Sequence, residues 1–75
     1  MSRIITGNLV VEDEKVSIQG EDGSITELTK ENVIKIECRN ADRFIRVTLK
    51  QITHNYEQYG WSIYAGIYSI VEIRR

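Results

Sequence analysis

Residues 15–28 read KVSIQGEDGSITEL, two short runs of alternating apolar and polar residues on either side of an Asp-Gly step. Val16 and Ile18 alternate with polar residues, which is the period of a β-strand with one buried face. The Asp22-Gly23 step favours a tight turn, because both residues tolerate a positive φ. The stretch therefore predicts a β-hairpin with strands at residues 15–19 and 24–28.

The choice of apolar residues favours β-structure in the rest of the chain as well. There are twelve Ile and six Val, against three Leu, two Ala and no Pro. β-branched side chains lose χ1 freedom in a helix and pack well on a pleated sheet. Alternation at period two predicts further strands, at residues 3–11, 33–39, 43–51, 61–65 and 67–73.

These strands predict an all-β fold with a single domain over residues 1–75. Six or seven short strands, with turns roughly every eight to ten residues, indicate a small antiparallel barrel or sandwich of the SH3 or Sm-like type. Helical structure is expected at most as one short turn near residues 29–32, where Thr29 can act as the cap. Residues 53–60 are polar and predict a loop or an irregular strand.

The sequence LTKENVIKIE, residues 28–37, places a capped turn directly before an apolar strand. In this feature residues 7–37 resemble the opening of Sm-like barrels and of bacterial pleckstrin-homology-like domains. The resemblance implies a small β-barrel, although the long C-terminal helix of the pleckstrin type has no room here. No signature motif accompanies the resemblance, so it implies no functional residue.

The size of the chain predicts self-association. A chain of 75 residues buries only about 60% of its unfolded surface, and folds of this size often add a disulfide, a metal or a partner subunit. Cys38 is the only cysteine and His54 the only histidine, which excludes an internal disulfide and a four-ligand zinc site. We therefore expect a homo-oligomer with no metal and no cofactor. A lone thiol without an export signal or a membrane-spanning run predicts a cytoplasmic protein with no membrane partner.

No residue pattern predicts an enzyme. His54 lies in a polar stretch where a solvated histidine is the default, and the serines lack the context of a catalytic nucleophile. The chain also lacks a glycine-rich phosphate loop. We therefore predict a protein that acts by binding, most simply to another protein. Very short, proline-free chains of this composition are similar to phage-encoded inhibitors and accessory proteins, and that likeness also implies a protein partner.

Aromatic residues form the densest group of candidate binding residues. Five of the six aromatic residues lie between residues 56 and 68, and Tyr and Trp are frequent in binding hot spots. In an extended strand Tyr64 and Tyr68 would share a face, with Gly66 leaving a slot between them for a planar ligand or a partner side chain. Trp61, Ile63 and Ala65 would then face the core, and ordinary core packing of the whole cluster is the alternative. The aromatic candidates for binding are Tyr56, Tyr59, Tyr64 and Tyr68.

The charges divide unevenly along the chain. Residues 1–38 contain eight acids and four bases, whereas residues 39–75 contain six bases and three acids. Such asymmetry can mark an anionic partner or head-to-tail association of subunits. An alternative function is therefore a nucleotide- or RNA-binding barrel, with Arg43, Arg46 and Lys50 contacting phosphates beside Phe44. Nucleic acid is the less favoured partner, because the chain has a net charge of −1 and a pI near 5.8.

Overall fold

The computed structural model describes residues 2–12, 15–60 and 63–74, with the side chains of residues 56, 57 and 59 left out of the description. That part of the chain contains six strands and one helix. In chain order they are β1 (Ser2–Glu12), β2 (Lys15–Gly20), β3 (Ile25–Leu28), β4 (Val33–Asn40), β5 (Arg43–Val47), α1 (Leu49–Tyr59) and β6 (Tyr68–Arg74).

The six strands form one antiparallel sheet in the order β3-β2-β1-β6-β4-β5. The first and last strands are therefore its two central strands. Residues 2–8 of β1 pair with β6, and residues 7–12 pair with β2. The prediction of an all-β antiparallel fold is confirmed. The edge strands β3 and β5 do not pair with each other within the described residues, so the sheet does not close into a barrel.

The hairpin predicted at residues 15–28 is confirmed as β2 and β3. Val16 pairs with Leu28 across the two strands. In the turn, the Asp22 carboxylate accepts hydrogen bonds from the backbone N–H and the hydroxyl of Ser24, at 3.0 and 2.7 Å. Both hydrogen bonds favour the ionised carboxylate and therefore lower the pKa of Asp22 below its usual value. The hydrogen bond from the Ser24 hydroxyl has the larger effect, and the one from the Ser24 N–H the smaller.

One face of the sheet, which we call the inner face, carries the core. Ile52 of α1 is fully buried in the same cluster as the core residues of the strands, so the helix packs against the inner face. Every strand contributes at least one buried apolar residue to the inner face. Along each strand, inward-facing residues alternate with residues of the opposite face. The buried apolar residues are Leu9, Val16, Ile18, Leu28, Ile36, Cys38, Val47, Ile52, Val71 and Ile73.

An irregularity in β4 changes which of its residues face inward. Val33 pairs with Ile73 and Lys35 pairs with Glu72, so Ile34 is an extra residue between two consecutive pairs. Strict alternation places Ile34 on the same face as Ile36. Instead Val33 packs against the core, and Ile34 is 38% exposed.

Helix α1 corrects the sequence prediction of a strand extending to residue 51. The Thr48 N–H donates to Gln51 Oε1 at 2.8 Å, and the Gln51 N–H donates to Thr48 Oγ1 at 3.1 Å. This reciprocal capping box begins a helix directly after β5 ends at Val47. The helix has 11 residues, so helical structure is not limited to one short turn, and residues 53–59 are helical rather than a loop or an irregular strand.

The short turn predicted near residues 29–32 is confirmed. The Thr29 N–H donates to Asn32 Oδ1 at 2.8 Å, and the Asn32 N–H donates to Thr29 Oγ1 at 3.3 Å. The Val33 N–H donates to the Thr29 carbonyl oxygen at 3.0 Å, which completes a single helical turn. The chain then enters β4.

Gly7 lies where β1 pairs with two neighbours at once. It is opposite Gly20 of β2 and opposite Ser69 of β6, and it is buried. A Cβ atom at this position would clash with the backbone carbonyl of Gln19. Only glycine therefore permits this close approach of β1 and β2.

Candidate functional site

In residues 56–68, which we call the aromatic segment, the described residues do not form the extended strand that the sequence predicts. Residues 63–66 form a turn, in which Gly66 has a φ of 81°, and β6 begins only at Tyr68. Tyr64 is half-buried and packs against the core, whereas Tyr68 lies on the opposite, outer face of the sheet. These two side chains therefore do not form the predicted slot.

The other residues of the aromatic segment have different positions. Ile63 and Ala65 are exposed, Ile63 by 52%, so the prediction that they belong to the core is wrong. Trp61 lies outside the described residues. Tyr56 and Tyr59 belong to α1, but their side chains also lie outside the description, so their binding role stays a prediction.

Tyr68 connects three parts of the outer face. Its ring centroid lies 6.4 Å from that of Phe44 on β5, and the two rings are tilted by 59°. Its hydroxyl donates to Glu21 Oε1 at 3.3 Å, in the turn between β2 and β3. Phe44 is 39% exposed. This tilted ring pair is a surface feature. The sequence places Phe44 beside the basic candidates of the alternative function but does not predict its contact with Tyr68.

The outer face has an incompletely covered apolar centre. Ile4 is 56% exposed, and Ile70, which pairs with Thr6 and lies diagonally across from Ile4, is half-buried. Because side chains alternate along a strand, residues that pair across neighbouring strands share a face. The apolar side chains of this face are Ile4, Val10, Ile25, Phe44, Tyr68 and Ile70.

The charges of the outer face are divided between its two halves. The Lys35 ammonium and Glu37 carboxylate form an ion pair at 3.6 Å, which leaves them locally neutral. The half formed by β1–β3 and their connecting turn carries Glu12, Glu21, Asp22 and Glu27 against Lys15. The half formed by β4–β6 and the turn between β4 and β5 carries Arg39, Arg46 and Arg74 against Asp42 and Glu72. One half is therefore acidic and the other basic.

The three basic candidates do not share one surface. Arg46 pairs with Glu37 on the outer face, and Arg43 is exposed at the start of β5. Lys50 lies in α1 and not on a continuation of β5 as predicted. Arg46 and Lys50 do meet elsewhere, because both line a groove between the end of β5 and the beginning of α1.

The buried thiol is structural rather than reactive. Cys38 is 2% exposed, and Ser69 Oγ donates toward its sulfur at 3.4 Å. Burial raises the pKa of the Cys38 thiol, and the hydrogen bond from Ser69 opposes this only in part.

His54 is exposed on α1. Over residues 2–12, 15–60 and 63–74, no group of three His, Cys, Asp or Glu side chains could hold a metal ion, and no helix is long and apolar enough to cross a membrane.

No protein-family model, curated protein or solved structure matches this chain.

Proposed function

We propose that this protein is a non-catalytic protein-interaction module that binds a second copy of itself through the outer face of its sheet. The observation that carries the proposal is an apolar centre flanked by an acidic half and a basic half. Opposite charges on the two sides of one surface make that surface complementary to itself.

The strand order suits a dimer with two-fold symmetry. β1 and β6 are central, and each has two further strands beyond it. A two-fold axis parallel to the strands and between β1 and β6 places the acidic half of one copy over the basic half of the other. In this arrangement Glu21 lies near Arg46 of the second copy, and Ile70 near Thr6.

The size of the face suits a stable dimer. The two larger extents of the molecule are 35 and 29 Å. A face of these dimensions can supply the ~800 Å² per partner that stable interfaces bury. A second copy would also cover the exposed side chains of Ile4 and Phe44. Exposed apolar surface is unfavourable, and a small fold buries little other surface that could compensate for it.

A charge-reversal experiment tests the arrangement directly. Arg46→Glu and Glu21→Arg each place like charges opposite one another in their own homodimers. A mixture of the two variants forms heterodimers in which both contacts are again oppositely charged. We expect sedimentation equilibrium to show self-association weakened about tenfold or more in each variant alone and regained in the mixture.

Arg43→Glu is the matched control, since it makes the same change of charge on β5 at a position that alternates to the opposite face of the sheet from Arg46. It should leave self-association unchanged. The proposal is wrong if the wild type stays at 8.7 kDa at concentrations up to about 1 mM. It is equally wrong if the mixture associates no more tightly than the single variants.

The aromatic pair is the expected energetic centre of the basic half. Phe44→Ala and Tyr68→Ala should each weaken self-association by about 2 kcal/mol or more, the range of interface hot spots. The loss in unfolding free energy should be smaller than for a buried core residue, because Phe44 is exposed and Tyr68 only half-buried.

A second candidate is the binding of single-stranded RNA or a nucleotide. Two aromatic rings, Phe44 and Tyr68, lie on a sheet surface near Arg39 and Arg46, an arrangement that suits base stacking and phosphate contact. The Glu21 carboxylate accepts a hydrogen bond from the Tyr68 hydroxyl, and its negative charge would repel a phosphate group bound beside Tyr68. Micromolar binding of oligouridine that weakens steeply with salt would favour this candidate over self-association.

The proposed setting is a reducing cytoplasm, in which the lone Cys38 remains a thiol. An accessory or inhibitory role of the kind found among phage-encoded proteins is the class of activity that a self-associating binding module would serve.

A further inference from the structure

A cationic groove lies where the sheet edge at β5 meets the beginning of α1. It has a volume of about 280 Å³ and includes residues of β4, β5 and the turn at residues 29–32. Its floor is apolar and includes Ile36, Val47 and Leu49. No carboxylate is among its described lining residues. The charged residues that line it are Lys30, Lys35, Arg46 and Lys50.

A second groove of about 600 Å³ adjoins the first, because Lys30, Leu49 and Lys50 line both. Its apolar lining residues are Val16, Leu28 and Leu49, of which Val16 and Leu28 are only 2% and 4% exposed. Thr29 and Thr53 add hydroxyl groups along its walls, and Lys15, Glu27 and Glu31 complete its lining. The two grooves together place a positive end beside a longer apolar surface.

The positive charges in the first groove are not neutralised within the described residues. Lys35 forms an ion pair with Glu37, whereas Lys30, Arg46 and Lys50 have no carboxylate partner within 4.0 Å in that part of the chain. Lys50 also lies in the first turn of α1, where a cation is unfavourable to the helix dipole and no acidic residue compensates it. A bound anion would relieve the mutual repulsion of these groups.

We propose that the two grooves together bind a phosphate monoester with an apolar body. The phosphate lies among Lys30, Arg46 and Lys50, since guanidinium and ammonium groups are the usual partners of phosphate oxygens. The body lies on Val16, Leu28 and Leu49. Concave sites with an apolar floor and a few converging polar groups are the usual form of small-molecule sites.

This site goes beyond the self-association proposed above. The grooves lie between the sheet edges and α1, whereas the dimer surface is the outer face. Lys35 and Arg46 belong to both surfaces, so variants of Lys30 and Lys50 are used to test the grooves. Either proposal can fail without the other, because dimer formation is measured by sedimentation and ligand binding by titration.

The test uses defined probes and the full chain. Octyl phosphate carries both parts of the proposed ligand, inorganic phosphate carries only the anion, and octyltrimethylammonium carries the same apolar chain with the opposite charge. Adenosine monophosphate distinguishes a nucleotide source from an aliphatic one. We expect octyl phosphate or adenosine monophosphate to bind about tenfold or more tightly than either of the other probes. Amide shifts in two-dimensional NMR should centre on Leu28, Leu49 and Lys50.

Two variants and a control complete the test. Lys50→Glu and Lys30→Glu should each weaken binding of the phosphate monoester about tenfold or more. Lys50→Glu should not harm the fold, because an acidic residue suits the first turn of a helix. Arg43→Glu makes the same charge change on β5 but does not line either groove, and it should bind normally.

Three results would overturn the proposal. The first is that octyl phosphate and adenosine monophosphate both bind no more tightly than inorganic phosphate. The second is that Arg43→Glu reduces binding as much as Lys50→Glu, which would indicate general charge attraction only. The third is that the amide shifts centre on Phe44 and Tyr68, which would place binding on the outer face.

Discussion

Thr48 and Gln51 cap each other's backbone N–H groups at the beginning of α1, through hydrogen bonds of 2.8 and 3.1 Å. The box turns the chain from strand into helix immediately after Val47. It also directs Ile52 onto the inner face, where that side chain is fully buried. A local pair of side chains therefore determines how the core is closed.

Replacing the cap should loosen the helix. Thr48→Ala removes the hydroxyl that accepts from the Gln51 N–H, and we expect a loss of about 1 kcal/mol in the free energy of unfolding. Thr48→Ser keeps the acceptor and should lose much less. Urea denaturation of both variants, followed by circular dichroism, measures the difference. Equal stability of the two variants would show that the hydroxyl does not support the helix.

The core role of α1 can be tested at Ile52. Ile52→Ala should reduce the free energy of unfolding by about 2–5 kcal/mol, because it leaves a cavity in a fully buried site. Ile63→Ala is the control, since this side chain is 52% exposed. It should change stability by no more than about 0.5 kcal/mol. Similar losses from both substitutions would contradict the packing of α1 against the inner face.

Gly7 should not accept any side chain. In Gly7→Ala the new methyl group clashes with the Gln19 carbonyl, and relief requires movement of the backbone. We expect a loss of about 3 kcal/mol or failure to fold. Gly20→Ala is the matched control on the paired strand, because its Cβ would lie 3.1 Å from Asp22 Oδ1, an exposed side-chain atom that can move at the cost of weaker hydrogen bonds to Ser24, and would not clash with the backbone. Thermal unfolding should therefore separate the two variants clearly.

The Cys38 thiol should make stability depend on pH in the alkaline range. Burial raises the pKa of this group above its usual value, so the folded state favours the neutral thiol. The stability it contributes is complete below the unfolded pKa and is lost as the pH rises toward the folded pKa. Urea midpoints for wild type and Cys38→Ala, compared between about pH 8 and pH 10.5, should show a steeper decline for the wild type. Parallel declines would mean that the thiol titrates equally in both states.

The strands were predictable because period-two alternation and turn residues act locally. β2 and β3 match the hairpin at residues 15–28 almost residue for residue. The helix was missed because the alternation of Ile45 and Val47 continues formally to Leu49. The signals against a strand were present, since Thr48 and Gln51 have capping-box spacing. The four apolar residues at helical spacing are Leu49, Ile52, Tyr56 and Tyr59.

The surfaces proposed for binding could not be predicted in the same way. Period-two alternation predicts that Tyr64 and Tyr68 share a face of one extended strand, but the turn at residues 63–66 places them on different faces. Phe44 and Tyr68 are adjacent because β6 inserts between β1 and β4, and local patterns do not encode strand order. The cationic groove likewise combines Lys30, Arg46 and Lys50 from three separate elements.

The central position of β6 determines when the sheet can be completed. β1–β3 are linked by hairpin contacts, and β4–β5 by another, but only β6 forms a ladder with both groups. Such pairing between distant parts of a chain forms slowly compared with hairpins. The two groups of strands therefore become one sheet only when β6 has paired with β1 on one side and with β4 on the other.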